Sequence, residues 1–384
     1  MKGSKIYIAA LLFLLVGPFA TALDLTKINM AYQYDLNADV RFKYRVVEKA
    51  DVYTIFYEVR ADTAKIWKTN LITQSGYASE VHDSLTNYHI DSLRIWPARV
   101  TAQVQFKIEN GADLIVFAFE DLGSGYQYLF DVLLDSPLGF PDFHPTDEDG
   151  LPVLDSYIIS KGLEMNADDE RYHAYQYSHE FIGADPAMGQ MKPLAPTFNI
   201  DSSYFFEAAI SNLELDNFYL LQKDSLDRNG ITVLKVPGYY PKSKRLDELV
   251  GPLQYITTDS EMKSLRSGID TKRVFEQFWI NTYGGKFLAK QAIRSYYRKV
   301  EASNILFTDF KRGWKTDRGV LYIVFGKPQE VIKSKRGEIW KYGDDLEFEF
   351  IKISTLFAPS FYSLRRDIKY ENIWYERVGK IRTQ

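Results

Sequence analysis

The spacing of hydrophobic residues changes along this chain of 384 residues, and that change most constrains the fold. Apolar side chains occupy every second position over residues 40–46 and again over residues 100–108. Such alternation is typical of β-strands that have one buried and one solvated face. After Thr258 the apolar spacing becomes helical. The sequence therefore predicts β structure first and helices later.

This change divides the chain into three regions. Residues 23–145 hold short alternating segments separated by turn-forming breaks, and they predict an antiparallel β-sandwich domain. A passage rich in Pro, Gly and Asp follows, and residues 150–255 predict a second, less regular β-rich domain. Residues 258–384 predict an α+β domain in which helices pack on a small antiparallel sheet. The predicted fold class is therefore mainly β, with the apolar run 320–325 expected to form a buried strand of the last domain.

The first 22 residues predict a secretory signal peptide. Lys2 and Lys5 form a basic start before an apolar segment, and Ala20-Thr21-Ala22 is a small-residue cleavage site. Gly17-Pro18 interrupts the apolar run, so we expect cleavage and not an uncleaved anchor. After cleavage we expect an exported protein that is periplasmic, outer-membrane-associated or extracellular, with no transmembrane span.

Composition excludes several classes of function. The chain has no cysteine, so neither a cysteine-linked lipid anchor nor thiol catalysis is available to it. The net charge of −4 is not that of a general nucleic-acid-binding protein. The acidic loop around Asp147 and Asp149 places Pro145 and Ser156 where a calcium loop needs ligands. We therefore expect no metal, no cofactor and no nucleic acid.

The most specific local signal is the heptapeptide Gly313-Trp314-Lys315-Thr316-Asp317-Arg318-Gly319. Its two glycines allow backbone angles that other residues adopt only at a cost. We expect Trp314 to be a packed anchor, and Thr316 and Asp317 to satisfy nearby backbone N–H groups. Arg318 is predicted to pair with Asp317, or with Glu338 across neighbouring strands.

Residues from about 275 to 342 resemble the GWxTD-domain family of exported Bacteroidetes-type proteins. The resemblance rests on the heptapeptide together with four further elements in the right order, which contain Trp279, Tyr297 with Ala302-Ser303-Asn304, Gly326 with Pro328, and Trp340. It implies a C-terminal module behind β-rich regions. It implies no established reaction, and it makes these residues structural positions of the family motif.

The class of function remains open between three interpretations. We expect a non-enzymatic interaction protein whose last domain binds another envelope or secretion component, because no catalytic set is recognisable. The alternative is a glycan- or peptide-directed hydrolase that uses Asp317 and Glu338 with Arg318 as a clamp. Those groups would have to converge in an open cleft. A third interpretation is carbohydrate binding by the β-sandwiches.

Residues 311–341 hold nine cations and only three acids. This excess could dock an anionic glycan or an acidic protein. It could equally be a solvated face, or face the acidic residues 135–170 within the same molecule. The nine cations are Lys311, Arg312, Lys315, Arg318, Lys327, Lys333, Lys335, Arg336 and Lys341.

Overall fold

The computed structural model of the protein describes residues 23–78, 82–84, 88–108, 111–166, 171–190 and 198–383. The predicted signal peptide, residues 1–22, lies outside the described residues. Strands dominate the first two-thirds of the chain, and helices with a small sheet make up the last third, so the predicted fold class is confirmed. In the part of the chain that is described, no helix is long and apolar enough to cross a membrane.

The first β region is a sandwich of two four-stranded antiparallel sheets. Its strands are β1 (Val40–Lys49), β2 (Val52–Ala61), β3 (Trp67–Gln74), β4 (His82–Ser84), β5 (Tyr88–Trp96), β6 (Arg99–Phe106), β7 (Leu114–Asp121) and β8 (Gln127–Leu133). The strand orders are β1-β2-β6-β5 and β4-β3-β7-β8. Alternate side chains of both sheets, such as Val59 and Phe117, share one core, as the period of two predicts.

The second β region is also built from two sheets. Its strands are β9 (Pro145–Thr146), β10 (Tyr157–Ile158), β11 (Leu163–Met165), β12 (Tyr172–Tyr177), β13 (Ser202–Phe206), β14 (Ala209–Ile210), β15 (Phe218–Gln222) and β16 (Ile231–Lys235). Five strands pair in the order β10-β16-β15-β12-β13, and three in the order β14-β11-β9. Residues from both sheets, such as Leu163 and Tyr219, form a common core.

The C-terminal region packs helices on one antiparallel sheet. Its helices are α1 (Leu246–Val250), α2 (Asp259–Arg266), α3 (Thr271–Tyr283), α4 (Lys286–Phe307), α5 (Asp317–Phe325) and α6 (Glu371–Thr383). The sheet consists of β17 (Glu330–Ser334), β18 (Gly337–Lys341), β19 (Glu347–Ile353) and β20 (Phe361–Leu364), in that order. The core of this region extends back to Val250 and Leu253, before the boundary at 258 that the sequence indicated.

The run 320–325, predicted as a buried strand, forms most of helix α5 instead. Its six side chains are all buried, between 0% and 9% exposed. A helix that is buried on every side shows no amphipathic period, so a continuous apolar run fits a helix as well as a strand. The helix begins where Thr316 Oγ1 accepts the N–H of Gly319, and it ends at Gly326, whose φ is +84°.

Residues 25–34 join the sandwich to the C-terminal region, although the sequence grouped them with the sandwich alone. Two 3-10 turns form here, Leu25–Lys27 and Ala31–Tyr34. The N–H of Met30 donates to the carbonyl of Val331 in β17 (2.8 Å). Tyr34 is 6% exposed and belongs to the core of the C-terminal region. The N-terminal segment is therefore part of both units.

Candidate functional site

The heptapeptide, called the junction below, connects α4 to α5. A 3-10 turn, Gly313–Lys315, follows α4, and Thr316 caps α5. The junction therefore lies between two helices, and not between a helix and a strand as the sequence indicated. Thr316 Oγ1 also donates to the carbonyl of Gly313 (2.8 Å), so one hydroxyl fixes both ends of the turn.

The two glycines of the junction are required by close packing. A Cβ at Gly313 would lie 2.0 Å from the carbonyl oxygen of Ser303 in α4, and a Cβ at Gly319 would lie 1.9 Å from the carbonyl oxygen of Gly313. Neither glycine has a positive φ, so the unusual backbone angles expected from the sequence are not the reason for them. Their role is to let α4, the turn and α5 approach one another.

Trp314 is a packed residue, 6% exposed, at the centre of the junction. Its ring faces the backbone of Gly251, where an added Cβ would lie 3.0 Å from the indole. Its backbone N–H donates to Asn304 Oδ1 (3.2 Å), and Asn304 Nδ2 donates to the carbonyl of Pro241 (2.9 Å). The buried amide of Asn304 therefore holds the turn against a segment that precedes α1.

Asp317 forms a buried ion pair with Arg366, a residue that the sequence did not single out. Arg366 Nη2 donates to Asp317 Oδ1 (2.6 Å), and the two side chains are only 5% and 8% exposed. Asp317 Oδ2 accepts the backbone N–H of Leu364 (2.7 Å). Arg366 also donates to the carbonyl oxygens of Asp185 and Pro186. The carboxylate therefore ties α5 to β20 and not, as expected, to its own turn.

Arg318 lies beside Glu338, which was one of its two predicted partners. Arg318 Nη1 is 3.7 Å from Glu338 Oε1, and the pair joins α5 to β18 where the sequence expected two strands. Tyr34 donates its hydroxyl to Glu338 Oε1 (2.5 Å), and Trp340 Nε1 donates to Oε2 (2.9 Å). Burial, together with the adjacent carboxylate, raises the pKa of Tyr34 well above its ordinary value, which keeps the hydroxyl protonated as a donor.

The same polar cluster continues from Glu338 into the sandwich through Lys333. The ammonium group of Lys333 donates to Asp131 Oδ1 (2.9 Å) and Gln33 Oε1 (2.6 Å), and it lies 3.9 Å from Glu338. Burial opposes ionisation of Asp131, but Lys333 and the Tyr77 hydroxyl lower the pKa of this carboxyl. A buried, charged contact therefore crosses from β17 to β8 of the sandwich.

Asp309 lies between α4 and the junction and has an unusual titration. Burial raises its pKa to about 6, and the neighbouring cations of Lys311 and Arg318 offset only part of that rise. Its Oδ1 accepts the backbone N–H of Lys311 (3.1 Å). Asp309 is therefore a carboxyl group whose charge the folded protein disfavours.

The remaining motif positions lie in packed surroundings. Trp279 is fully buried in α3, and the hydroxyl of Tyr297 donates to the carbonyl of Leu249. Gly326 ends α5, and Pro328 is buried in the connection to β17. Trp279 and Tyr297 belong to the packed core of the C-terminal region, so these motif positions have structural roles.

Six of the nine cations in residues 311–341 form ion pairs within the described part of the chain. Lys335, for example, pairs with Asp113 and Asp135, so one residue of the acidic stretch 135–170 does contact the basic one. The other five pairs are Arg312–Glu248, Arg318–Glu338, Lys327–Asp35, Lys333–Asp131 and Lys341–Glu330. Most cations of the basic stretch are therefore paired with carboxylates of the same chain.

The acidic loop compared with a calcium site also uses its charges internally. Asp142 pairs with Lys223 (2.9 Å), and Asp149 pairs with Arg94 (2.8 Å). Burial lowers the pKa of the neighbouring His144 to about 4. In the ranges that the structure describes, no group of three or more His, Asp or Glu is arranged to hold a metal ion.

The two carboxylates of the hydrolase alternative have separate sets of partners. Asp317 contacts Arg366 and Leu364, whereas Glu338 contacts Tyr34 and Trp340. Both are buried, at 6% and 3% exposure. The structure does not bring them together in an open cleft, which is the arrangement that this alternative requires.

Sequence reasoning missed several residues of this arrangement. Tyr34 is separated by 304 positions from Glu338, and Arg366 by 49 positions from Asp317. Nothing in the local pattern of either residue indicates such a partner. Asn304 did carry a signal, because it belongs to an element of the family resemblance, but its hydrogen bond to the junction was not foreseen.

The fold and the junction define a mainly β chain that carries a C-terminal α+β module. Residues 217–383 match the model of the GWxTD domain, so this part of the chain is a GWxTD domain, as the resemblance implied. The match begins within the second β region and includes β15 and β16.

No curated protein matches the chain. The solved structure "Crystal structure of DIP-gamma IG1+IG2" is similar at 11% identity over 53% of this chain and 100% of that chain. Its TM-score is 0.18, and a likeness at that level carries no argument about fold or function.

Proposed function

We propose that the protein is an exported, envelope-associated structural or interaction protein, and that its GWxTD domain binds another envelope or secretion component. The proposal rests on the observation that the polar side chains of the motif are bound to other residues of the same chain. Thr316 caps a helix, Asp317 is bound by Arg366, and Arg318 lies between Glu338 and the ring of Tyr362. None of these three groups is left free as a reagent.

The attachment of the GWxTD domain to the sandwich supports a role in interaction. Lys333 with Asp131, and Glu338 with Tyr34, are buried contacts between the domain and N-terminal residues. Breaking a buried charged pair costs about 3–5 kcal/mol, so these contacts oppose independent movement of the two units. These contacts would hold the domain and the sandwich together, so that a partner could bind both.

Export and envelope association rest on the predicted signal peptide, and the binding partner is open to direct test. The tagged full chain is crosslinked in envelope fractions of the producing organism, and the captured proteins are identified. We expect one or a few envelope proteins to be recovered with the wild-type chain. The Gly319→Ala chain, whose fold should be disrupted, serves as the control for proteins that bind unfolded chains.

A stable monomer that captures no partner under crosslinking would count against the proposal. So would a set of captured proteins that is the same for the wild-type chain and for Gly319→Ala. A partner bound only by the folded chain would support it, and crosslinks within residues 217–383 would assign the contact to the GWxTD domain.

A further inference from the structure

A cavity of about 150 Å³ lies between strand β1 of the sandwich and helix α4 of the GWxTD domain. β1 is an edge strand of its sheet, and no further strand among the described residues pairs with its free side. The apolar part of the lining consists of aromatic and aliphatic residues from four elements of the chain. They include Tyr32, Phe42, Phe130, Ile305 and Leu306.

Beside the cavity, three arginines lie opposite one another on neighbouring strands of the sheet. Arg41 of β1 lies directly opposite Arg60 of β2, and Arg60 lies opposite Arg99 of β6. Like charges directly opposite one another on neighbouring strands are destabilising. Among the described residues, the charged side chains that line the cavity are Arg41, Lys43 and Arg60 with the carboxylate of Glu58.

The nearby carboxylates are already used by other cations. Glu58 accepts from Arg60 Nε (2.8 Å) and lies 3.5 Å from Arg99 Nη1. Lys43 Nζ donates to both carboxylate oxygens of Asp155, Oδ1 at 2.7 Å and Oδ2 at 2.8 Å. Both acids are therefore occupied by neighbours of Arg41.

Arg41 is left without a direct partner. Across the described residues it forms neither a hydrogen bond nor an ion pair, although its guanidinium carries five N–H donors. Burial, together with the neighbouring Arg60, lowers the pKa of Arg41. A half-buried cation with unused donors, next to a second cation, is an arrangement that an anion would stabilise.

We infer that this cavity binds a small organic anion, with its carboxylate or phosphate group held by Arg41 and Arg60 and its apolar part against Ile305 and Leu306 of α4. Guanidinium groups match the planar, bidentate geometry of such anions. The volume is about that of a cavity that accepts one benzene molecule, roughly 150 Å³. The ligand is therefore the size of a substituted benzene, or is the acidic end of a longer molecule. This site is independent of the function proposed above.

The test uses the full chain and three probes, namely benzoate, phenyl phosphate and inorganic phosphate, titrated calorimetrically at low salt. We expect binding of one equivalent of benzoate or phenyl phosphate to the wild-type chain. Arg41→Gln should weaken it about tenfold or more, the size of one lost charge-assisted contact. Arg298→Gln, an exposed change of equal charge on α4, should leave the affinity unaltered.

The three probes separate the possible ligands. Tighter binding of benzoate assigns a carboxylate ligand, and tighter binding of phenyl phosphate assigns a phosphate ligand. Inorganic phosphate that binds as tightly as phenyl phosphate would overturn the proposal, because the apolar wall would then contribute nothing. Absence of binding by all three probes would also overturn it.

The melting temperature of the unliganded chain distinguishes a binding role from a structural one. Removing Arg41 relieves repulsion from Arg60, so Arg41→Gln should melt at the wild-type temperature or above it. A structural cation would lower the melting temperature when removed. A fall of several degrees in Arg41→Gln, or an affinity equal to that of the wild type, would overturn the inference.

Discussion

The last turns of α4 border two regions that differ in how their charged side chains are paired. Ser303 and Asn304 face the junction, where the carboxylate of Asp317 has a buried partner. Ile305 and Leu306 line the cavity at β1, where the guanidinium of Arg41 has none among the described residues. The segment that carries the family motif is a packed connection. The unpaired guanidinium of Arg41 lies outside that motif.

This difference has a simple physical basis. A buried polar group without a partner costs free energy, so groups in a packed connection are matched with one another during folding. A binding site instead keeps donors unmatched until the ligand supplies the acceptor. The following substitutions test whether the residues of the junction are packed and paired with one another, beginning with the largest expected effect.

Gly319→Ala should damage the junction most. The added Cβ would lie 1.9 Å from the carbonyl oxygen of Gly313, and a backbone atom cannot move away as a flexible side chain can. We expect a loss of more than about 4 kcal/mol, measured by denaturant unfolding, or a chain that does not fold. Gly379→Ala is the matched control, because its Cβ would meet nothing within 4 Å in α6 and should stabilise by up to about 1 kcal/mol.

Trp314→Ala should have the next largest effect. The indole is buried against Gly251 and Tyr255, so its removal leaves a cavity at the centre of the junction. We expect the free energy of unfolding to fall by about 3–5 kcal/mol. Phe287→Ala, at a side chain 73% exposed, should change stability little. A loss from Trp314→Ala as small as that control would contradict the packed role of Trp314.

Asp317→Asn should lower stability by about 3 kcal/mol, because it leaves the buried cation of Arg366 without a charged partner. The double change Asp317→Asn with Arg366→Gln should recover part of that loss, since the two residues interact directly. Thermal and denaturant unfolding of the four chains measures this coupling. An Asp317→Asn chain that keeps its melting temperature but loses a hydrolytic activity would instead favour the hydrolase alternative.

Asp309→Asn should stabilise the protein, and only at neutral pH. The folded chain raises the pKa of Asp309 from 3.8 to about 6. The contribution of this carboxyl group to the free energy of unfolding is therefore fully present below about pH 4 and is lost as the pH rises through 6. The amide can still accept the N–H of Lys311 and carries no charge. We expect the variant to be about 1–3 kcal/mol more stable than the wild type at pH 7, and equally stable at pH 4. Urea unfolding at several pH values tests this, and parallel profiles would contradict it.

The sequence predicted much of the fold because its signals there are local. Alternation indicated the strands of the first sandwich, and the helical spacing after Thr258 indicated the helices that begin with α2. The run 320–325 was predicted wrongly, because both a buried helix and a buried strand are apolar at every position. In the structure, Thr316 caps the N-terminus of α5, which marks this run as a helix.

Sequence by itself determined the fold class, the GWxTD domain and the residues of the junction, because each depends on the order of neighbouring residues. Tertiary structure alone decided the partners of those residues, such as Arg366 for Asp317 and Tyr34 for Glu338. It also decided that Arg41 lies opposite Arg60, next to carboxylates that are already paired with Arg60 and Lys43. Contacts between distant positions depend on how the units pack, and no local pattern of side chains encodes that packing.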